Sequence, residues 1–143
     1  MSDSKIQVMS LKSLLVPSKA ATVDFPGFDG FTLDLCFLSR ETVNTIRKKA
    51  TKTAFKNRQP VEELDDDLFL KLYVDAAIKG WSGLKFAYLN ELAPVDLADT
   101  NPEDFLGFSP ENALFLMKSS ANFDSFVSTT VTELQAFTKA SGK

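Results

Sequence analysis

The densest run of chargeable side chains lies between Arg47 and Asp67. Five carboxylates, Glu62, Glu63, Asp65, Asp66 and Asp67, follow Pro60 almost without interruption. They do not form a calcium loop, because the alternating ligand spacing and central glycine of an EF-hand are missing. Nor do they form a paired-carboxylate acid–base site: acids this close in sequence radiate around a helix start and do not converge. Their fitting role is negative charge at the N-terminus of the helix that follows. A second role is contact with basic residues, within the chain or between protomers, where such pairs set orientation more than affinity. The basic residues are Arg47, Lys48, Lys49, Lys52, Lys56 and Arg58. They read either as a patch for nucleic acid or an acidic partner, or as a solvated helix face with cations gathered where the dipole favours them.

Other reactive groups are few. The chain has no histidine, which removes the usual general base, metal ligand and physiological pH switch. Its one cysteine, Cys36, sits between Leu35 and Phe37 and reads as a small buried hydrophobe in a reducing compartment. Gly80-x-x-Gly83 lacks the preceding strand and the lysine–hydroxyl pair of a phosphate loop. No nucleophile–base pair can be nominated, so the expectation is a protein that is not an enzyme and carries no cofactor and no metal.

A chain of 143 residues fits one domain with a real core. Net charge is −3, which argues against general nucleic-acid affinity while leaving room for a local basic face. There are 13 Phe against one Trp and two Tyr, and a phenyl ring without a polar handle belongs in a core or a dry interface. The N-terminus MSDSKIQVMS lacks the apolar run of a signal peptide, and nothing approaches a membrane span of roughly 20 apolar residues.

The elements that must position these groups follow from period and punctuation. Ile6–Val16 is apolar without a clean period, and reads as a strand or a short docking segment. Ala21–Phe25, the turn Pro26-Gly27-Phe28-Asp29-Gly30 and the alternating run Phe31–Leu38 predict a β-hairpin with Phe31, Leu33, Leu35 and Phe37 on one face. Ser39 caps a helix expected over Arg40 to about Lys56, with Val43, Ile46, Ala50 and Ala54 at helical spacing. A central amphipathic helix is expected from about Glu63 to Lys79, with Gly80 as its left-handed C-cap and Trp81 folded back onto it. Phe86–Leu92 is apolar and ambiguous, and Pro94–Asn101 reads as a loop. Ser109-Pro110-Glu111 opens a short apolar helix through hydroxyl cap and proline at the first position. A last helix spans about Asn122–Lys139, its stripe running through Phe123, Phe126, Val127, Thr130, Leu134 and Phe137 and packing on the central helix. The expected fold is α+β: a mainly α-helical single domain over 1–143, with an N-terminal segment (1–16), a β-hairpin (20–38) and a helical region (39–143).

In this order and spacing, the motifs resemble the tail assembly chaperones of long-tailed bacteriophages. The resemblance rests on a helix running into Gly80-Trp81-Ser82-Gly83-Leu84, then Leu106-Gly107-Phe108-Ser109-Pro110-Glu111-Asn112-Ala113-Leu114, then the Phe123–Phe137 terminal helix. The FPGFDGF hairpin and Leu38-Ser39-Arg40-Glu41 extend it, so that it covers roughly residues 20–140. It implies a non-enzymatic role in the host bacterial cytoplasm. Such a protein keeps the tape-measure protein soluble, helps recruit tail-tube subunits, and is absent from the mature virion. Gly80, Trp81, Gly83, Ser109 and Pro110 then serve as structural motif residues. Many such proteins also have a frameshifted longer form, with which the terminal Gly142-Lys143 pair is compatible.

The chemistry fits that role. A tape-measure helix exposes apolar stripes that aggregate unless covered. Leu114, Phe115, Met117 and Phe123 are the candidate client-binding residues. Arg47, Lys48, Lys49 and Lys52 facing Glu62, Glu63, Asp65, Asp66 and Asp67 of a neighbour are the candidate self-association residues of a homo-oligomer joined head to tail. Two alternatives remain: a structural tail component such as a terminator or tube-associated protein, and a small phage nucleic-acid-binding protein using the basic 47–58 face.

Overall fold

The Pro26–Gly30 turn brings two strands together, and the rest of the chain covers one face of what they start. The computed structural model describes residues 6–15 and 19–133. Its elements, in chain order, are α1 (Leu11–Leu14), β1 (Ala20–Asp24), β2 (Thr32–Cys36), α2 (Arg40–Ala50), β3 (Thr51–Lys56), β4 (Gln59–Leu64), α3 (Asp66–Ala77), β5 (Ile78–Ser82), α4 (Phe86–Leu92), α5 (Pro110–Ser119) and α6 (Ala121–Thr132). The fold is α+β, with the N-terminal hairpin in place. Leu134 and Phe137 of the expected terminal stripe, and the Gly142-Lys143 end, lie outside the described residues.

β2 is the centre of a three-stranded antiparallel sheet, β1-β2-β5. Its register with β1 runs from Ala20↔Cys36 to Asp24↔Thr32. Thr22 Oγ donates to Asp34 Oδ1 across that pair at 2.6 Å on the solvent face. The inward residues Phe31, Leu33 and Leu35 are fully buried, as period-2 alternation requires. A β-bulge in the β2–β5 pairing falls between Asp34 and Leu35, and beyond it both Cys36 and Leu38 are buried.

Helices supply the cover. α3, α5 and α6 add Tyr73, Val74, Ala77, Ala113, Leu116, Met117, Phe123, Val127 and Val131 to one apolar core with the sheet. α3 packs against both α2 and α5, while α6 lies against α5, α4 and β2 and meets α3 where Ser128 hydrogen-bonds Tyr73. The caps are local. Ser39 Oγ accepts from Thr42 N–H, Asp65 Oδ1 from Leu68 N–H, Ser109 Oγ from Asn112 N–H and Ser120 Oγ from Phe123 N–H.

Three expectations are corrected. The helix expected to reach Lys56 ends at Ala50, and residues 51–64 form a second antiparallel hairpin, so 39–143 is not helical throughout. Ala50 and Ala54 do stand at helical spacing. The β-branched Thr51 and Thr53 nevertheless favour a strand, and Asn57 and Arg58 both take positive φ (53° and 65°) in the two-residue turn. The central helix is correspondingly shorter, Asp66–Ala77. Finally, Gly80 is not a left-handed cap. The helix passes straight into β5 at Ile78, and Gly80 lies opposite Asp34 in the β2–β5 ladder.

Candidate functional site

The charged residues do come together, but inside one chain. Lys56 Nζ and Glu63 Oε1 lie 2.6 Å apart across the β3–β4 ribbon, and Lys52 reaches Asp65 at 4.0 Å. Asp67 pairs with Lys118 of α5 at 3.6 Å. The hydrogen bond from Lys56, then its charge and to a smaller degree that of Lys52, hold Glu63 below the usual carboxylate range. The same bond raises Lys56. Asp66 and Asp67 lie in the first turn of α3, where they complement its dipole, while Glu62 and Glu63 are strand residues on β4. Three of the five acids expected to face a neighbour therefore have partners within the chain.

On the basic side, Arg47 sits 5.6 Å over the Phe69 ring as a cation–π contact between α2 and α3. Lys48 and Lys49 are exposed and make no ion pair among the described residues, and the same holds for Arg40 and Arg58. Arg47, Lys48 and Lys52 line a shallow surface depression together with Asn44, Thr51, Thr53 and Glu62.

The four candidate client-binding residues divide. Met117 is 5% exposed and Phe123 0%, so both are core side chains and cannot form a free groove. Leu114 is half-buried against the core, and Phe115 is 55% exposed on the outer face of α5. The helical period explains the split: Ala113, Leu116 and Met117 turn inward together, leaving Phe115 outside.

The motif residues are architectural. Trp81 does not fold onto α3. It makes edge contacts with Phe31, Phe108 and Phe123, with centroids 6.5, 5.1 and 6.4 Å away, and its Nε1–H donates to Leu106 O at 2.9 Å. Gly83 has φ +78°, and a Cβ there would lie 1.9 Å from Gly30 O. The close approach of two backbones, one of them the hairpin turn, therefore requires glycine. Ser109 caps α5 and Pro110 occupies its first turn.

Two surface features stand apart from the core. Residues 6–15, read as a strand or a short docking segment, form no strand but the short helix α1, and bury none of Ile6, Val8, Met9, Leu11, Leu14 and Leu15. Phe55, near the ribbon's turn, is 75% exposed. Alternation over Thr51–Lys56 followed by Asn57 was the available signal for the second. Beside the aromatic cluster, Phe25, Pro26, Phe126, Ser125, Thr129 and Thr130 border an open notch of ≈ 390 Å³.

Among the described residues, no group of three or more His, Cys, Asp or Glu could hold a metal ion, and no helix is long and apolar enough to cross a membrane. No protein-family model, curated protein or solved structure matches the chain.

Proposed function

We propose that this chain is a non-enzymatic assembly chaperone of a long-tailed bacteriophage. In this reading it binds the tape-measure protein and helps bring tail-tube subunits to it in the host bacterial cytoplasm, without entering the mature virion. The observation that carries the reading is the apolar segment 6–15, whose six large side chains are 56–100% exposed among the described residues. Phe115 and the half-buried Leu114 add an apolar strip on α5. Surfaces of this kind suit an apolar helical client and are a liability without one. Repetition of the chaperone along a long client would add weak contacts through avidity.

The test is a pull-down of the tagged chain from infected cells, followed by mass spectrometry of captured proteins and of purified particles. Capture of the tape-measure and tube proteins, with the bait absent from particles, is the expected result. Incorporation into particles would instead favour a structural tail component. A second reading draws on Lys48, Lys49 and Arg58, which make no ion pair among the described residues: a nucleic-acid-binding role. That role predicts recovery of nucleic acid and binding that weakens steeply with salt.

A further inference from the structure

We propose that the free edge of β1 receives residues 6–9 of a second copy of this chain as a fourth, antiparallel strand of the sheet. The inference goes beyond the reading above and does not depend on any client. It uses Ile6, Gln7, Val8 and Met9, and leaves Leu11, Leu14, Leu15 and the α5 strip available to one.

The register of β1 decides which of its backbone groups are free. Phe25 N–H donates to Phe31 O at 2.9 Å and Phe37 N–H to Lys19 O at 2.6 Å, one bond at each end of the β1–β2 ladder. Alternation in an antiparallel pair then turns the N–H and C=O groups of Ala21 and Val23 toward β2, and those of Ala20, Thr22 and Asp24 away from it. The outward groups have no backbone partner among the described residues. The opposite edge is different: along the continuation of β5, Leu106 N–H donates to Leu84 O and Lys85 bridges to Phe105. Nor does β1 carry the devices that blunt an edge. It has no proline and no inward charge, and the sheet's bulge lies between β2 and β5. Its inward residues, Ala21 and Val23, are only half-buried against the core.

Residues 6–9 are the complementary strand. Ile6 and Val8 are 98% and 100% exposed, and residues 6–9 make no backbone hydrogen bond among the described residues. Period-two alternation sets Ile6 and Val8 on one side and Gln7 and Met9 on the other. In an antiparallel register with Ile6 opposite Val23 and Val8 opposite Ala21, both apolar pairs share the core face. Gln7 and Met9 then exchange backbone bonds with Thr22 and Ala20, and Gln7 joins Thr22 on the solvent face. The preceding residue in the sequence, Lys5, continues this register opposite Asp24, an exposed carboxylate without an ion pair among the described residues. A parallel strand would carry the same lysine toward Lys19, and a one-residue slip would turn Ile6 and Val8 to solvent. Direction and register are thus both specified by the residues themselves. The second copy supplies the strand, because the chain's own Ile6 and Val8 bury nothing against its own edge. Each copy can give one strand and receive one.

Sedimentation velocity of the full chain over a concentration series, with amide hydrogen exchange followed residue by residue by NMR, tests this. Wild type is expected to self-associate, and exchange at the Thr22 and Asp24 amides to slow at least about tenfold as it does so. Val8→Asp, at a fully exposed position, should weaken association at least about tenfold, because its carboxylate would have to enter the apolar face. Gln7→Ser, on the solvent side of the added strand, should associate like wild type. Thr22→Pro removes an outward N–H that β2 does not use, a change an edge strand accepts, and should weaken association as much as Val8→Asp. Thr22→Val loses only the side-chain bond to Asp34 and should not. Val8→Asp and Thr22→Pro, mixed, should form a heterodimer in which one contributes the strand and the other the edge. Four outcomes overturn the proposal. They are wild type that stays monomeric at every concentration; association that leaves the Thr22 and Asp24 amides unprotected; protection of those amides in a monomer, which would mean that the segment closes on its own edge; and Val8→Asp that associates like wild type. None of them bears on whether the pull-down recovers the tail proteins, so the two readings fail separately.

Discussion

Phe31 and Phe55 are the same residue in two opposite situations. Phe31 is fully buried just ahead of β2, 5.3 Å from the Phe25 ring and edge-on to Trp81. Around it Phe25 stacks at 5.1 Å on Phe28 and 5.9 Å from Phe123, and Phe28 stacks at 5.0 Å on Tyr88. Each such pair contributes about 0.5–1.5 kcal/mol beyond the area it buries. Phe55 sits in a ribbon held by backbone pairing, a turn and exposed ion pairs. One region is stabilised by burial, the other by local geometry, and such a ribbon alone is marginal in water. The comparison teaches that the phenylalanine richness of this chain is divided between two settings. Most of the rings weld the hairpin to its helices, while Phe55, Phe105 and Phe115 stay on the surface, Phe55 the most exposed of them.

The largest effect should come from emptying the buried side of that comparison. Phe31→Ala is expected to cost about 3–5 kcal/mol in urea unfolding, by loss of transfer energy plus an uncollapsed cavity. Phe55→Ala should stay within about 0.5 kcal/mol, the range of exposed substitutions. A large loss at Phe55 would mean that the ribbon is part of the cooperative core, and the two-region picture would fail.

A second prediction sharpens where the core is joined. Gly83→Ala places a Cβ against Gly30 O and forces a left-handed φ on a residue with a side chain. A loss of about 2–4 kcal/mol is expected, from steric strain at positive φ together with displacement of the hairpin turn. Gly107→Ala meets open space and has no positive φ, so it should be near neutral. Equal losses at both glycines would show that the Gly30–Gly83 approach is not what fixes the turn to the strand.

The two regions also differ in how readable they were. The first hairpin was legible because Phe31, Leu33 and Leu35 alternate and the turn carries its own glycines, so local pattern and final burial agree. The α5 start was legible for the same reason: Ser109 and Pro110 act within one turn. The second hairpin was not, since Ala50 and Ala54 satisfied a helical period that Thr51, Thr53 and the Asn57-Arg58 turn override. Trp81 was misplaced because Gly80 resembles a helix stop, whereas β5 is defined by its pairing with β2, a long-range partner that no local window contains. The break between α5 and α6 was legible in Lys118-Ser119-Ser120, but Ser120 itself was missed as a cap because it ends α5 and caps α6 at once, just ahead of the start expected near Asn122. At the candidate site, the charged residues were visible in the sequence, but whether they face each other in one chain or across two depends on the hairpin. Phe123 and Met117 looked available for binding because an apolar helix does not reveal which side the core will claim.

The smallest effect belongs to the ion pair that lines the ribbon, and it asks whether local geometry or charge aligns the two strands. Solvent reaches both groups, so Lys56→Gln should leave global unfolding at neutral pH almost unchanged. The sensitive readout is the titration of Glu63 followed by NMR. Its carboxyl should titrate below the ordinary glutamate range in wild type, because Lys56 donates to its charged form. For a carboxylate depressed in the folded state, the stabilising contribution is present above the unfolded-state pKa. It is lost as pH falls through the folded value, so any weakening of the ribbon from this pair appears on the acid side only. In Lys56→Gln the inflection should move up toward the ordinary range, stopping short of it because Lys52 still contributes, and added salt should move it the same way in wild type. A Glu63 inflection that ignores both the substitution and the salt would mean that the pair does not persist in solution. Backbone pairing and the Asn57-Arg58 turn alone would then hold the ribbon, and its geometry would owe nothing to charge.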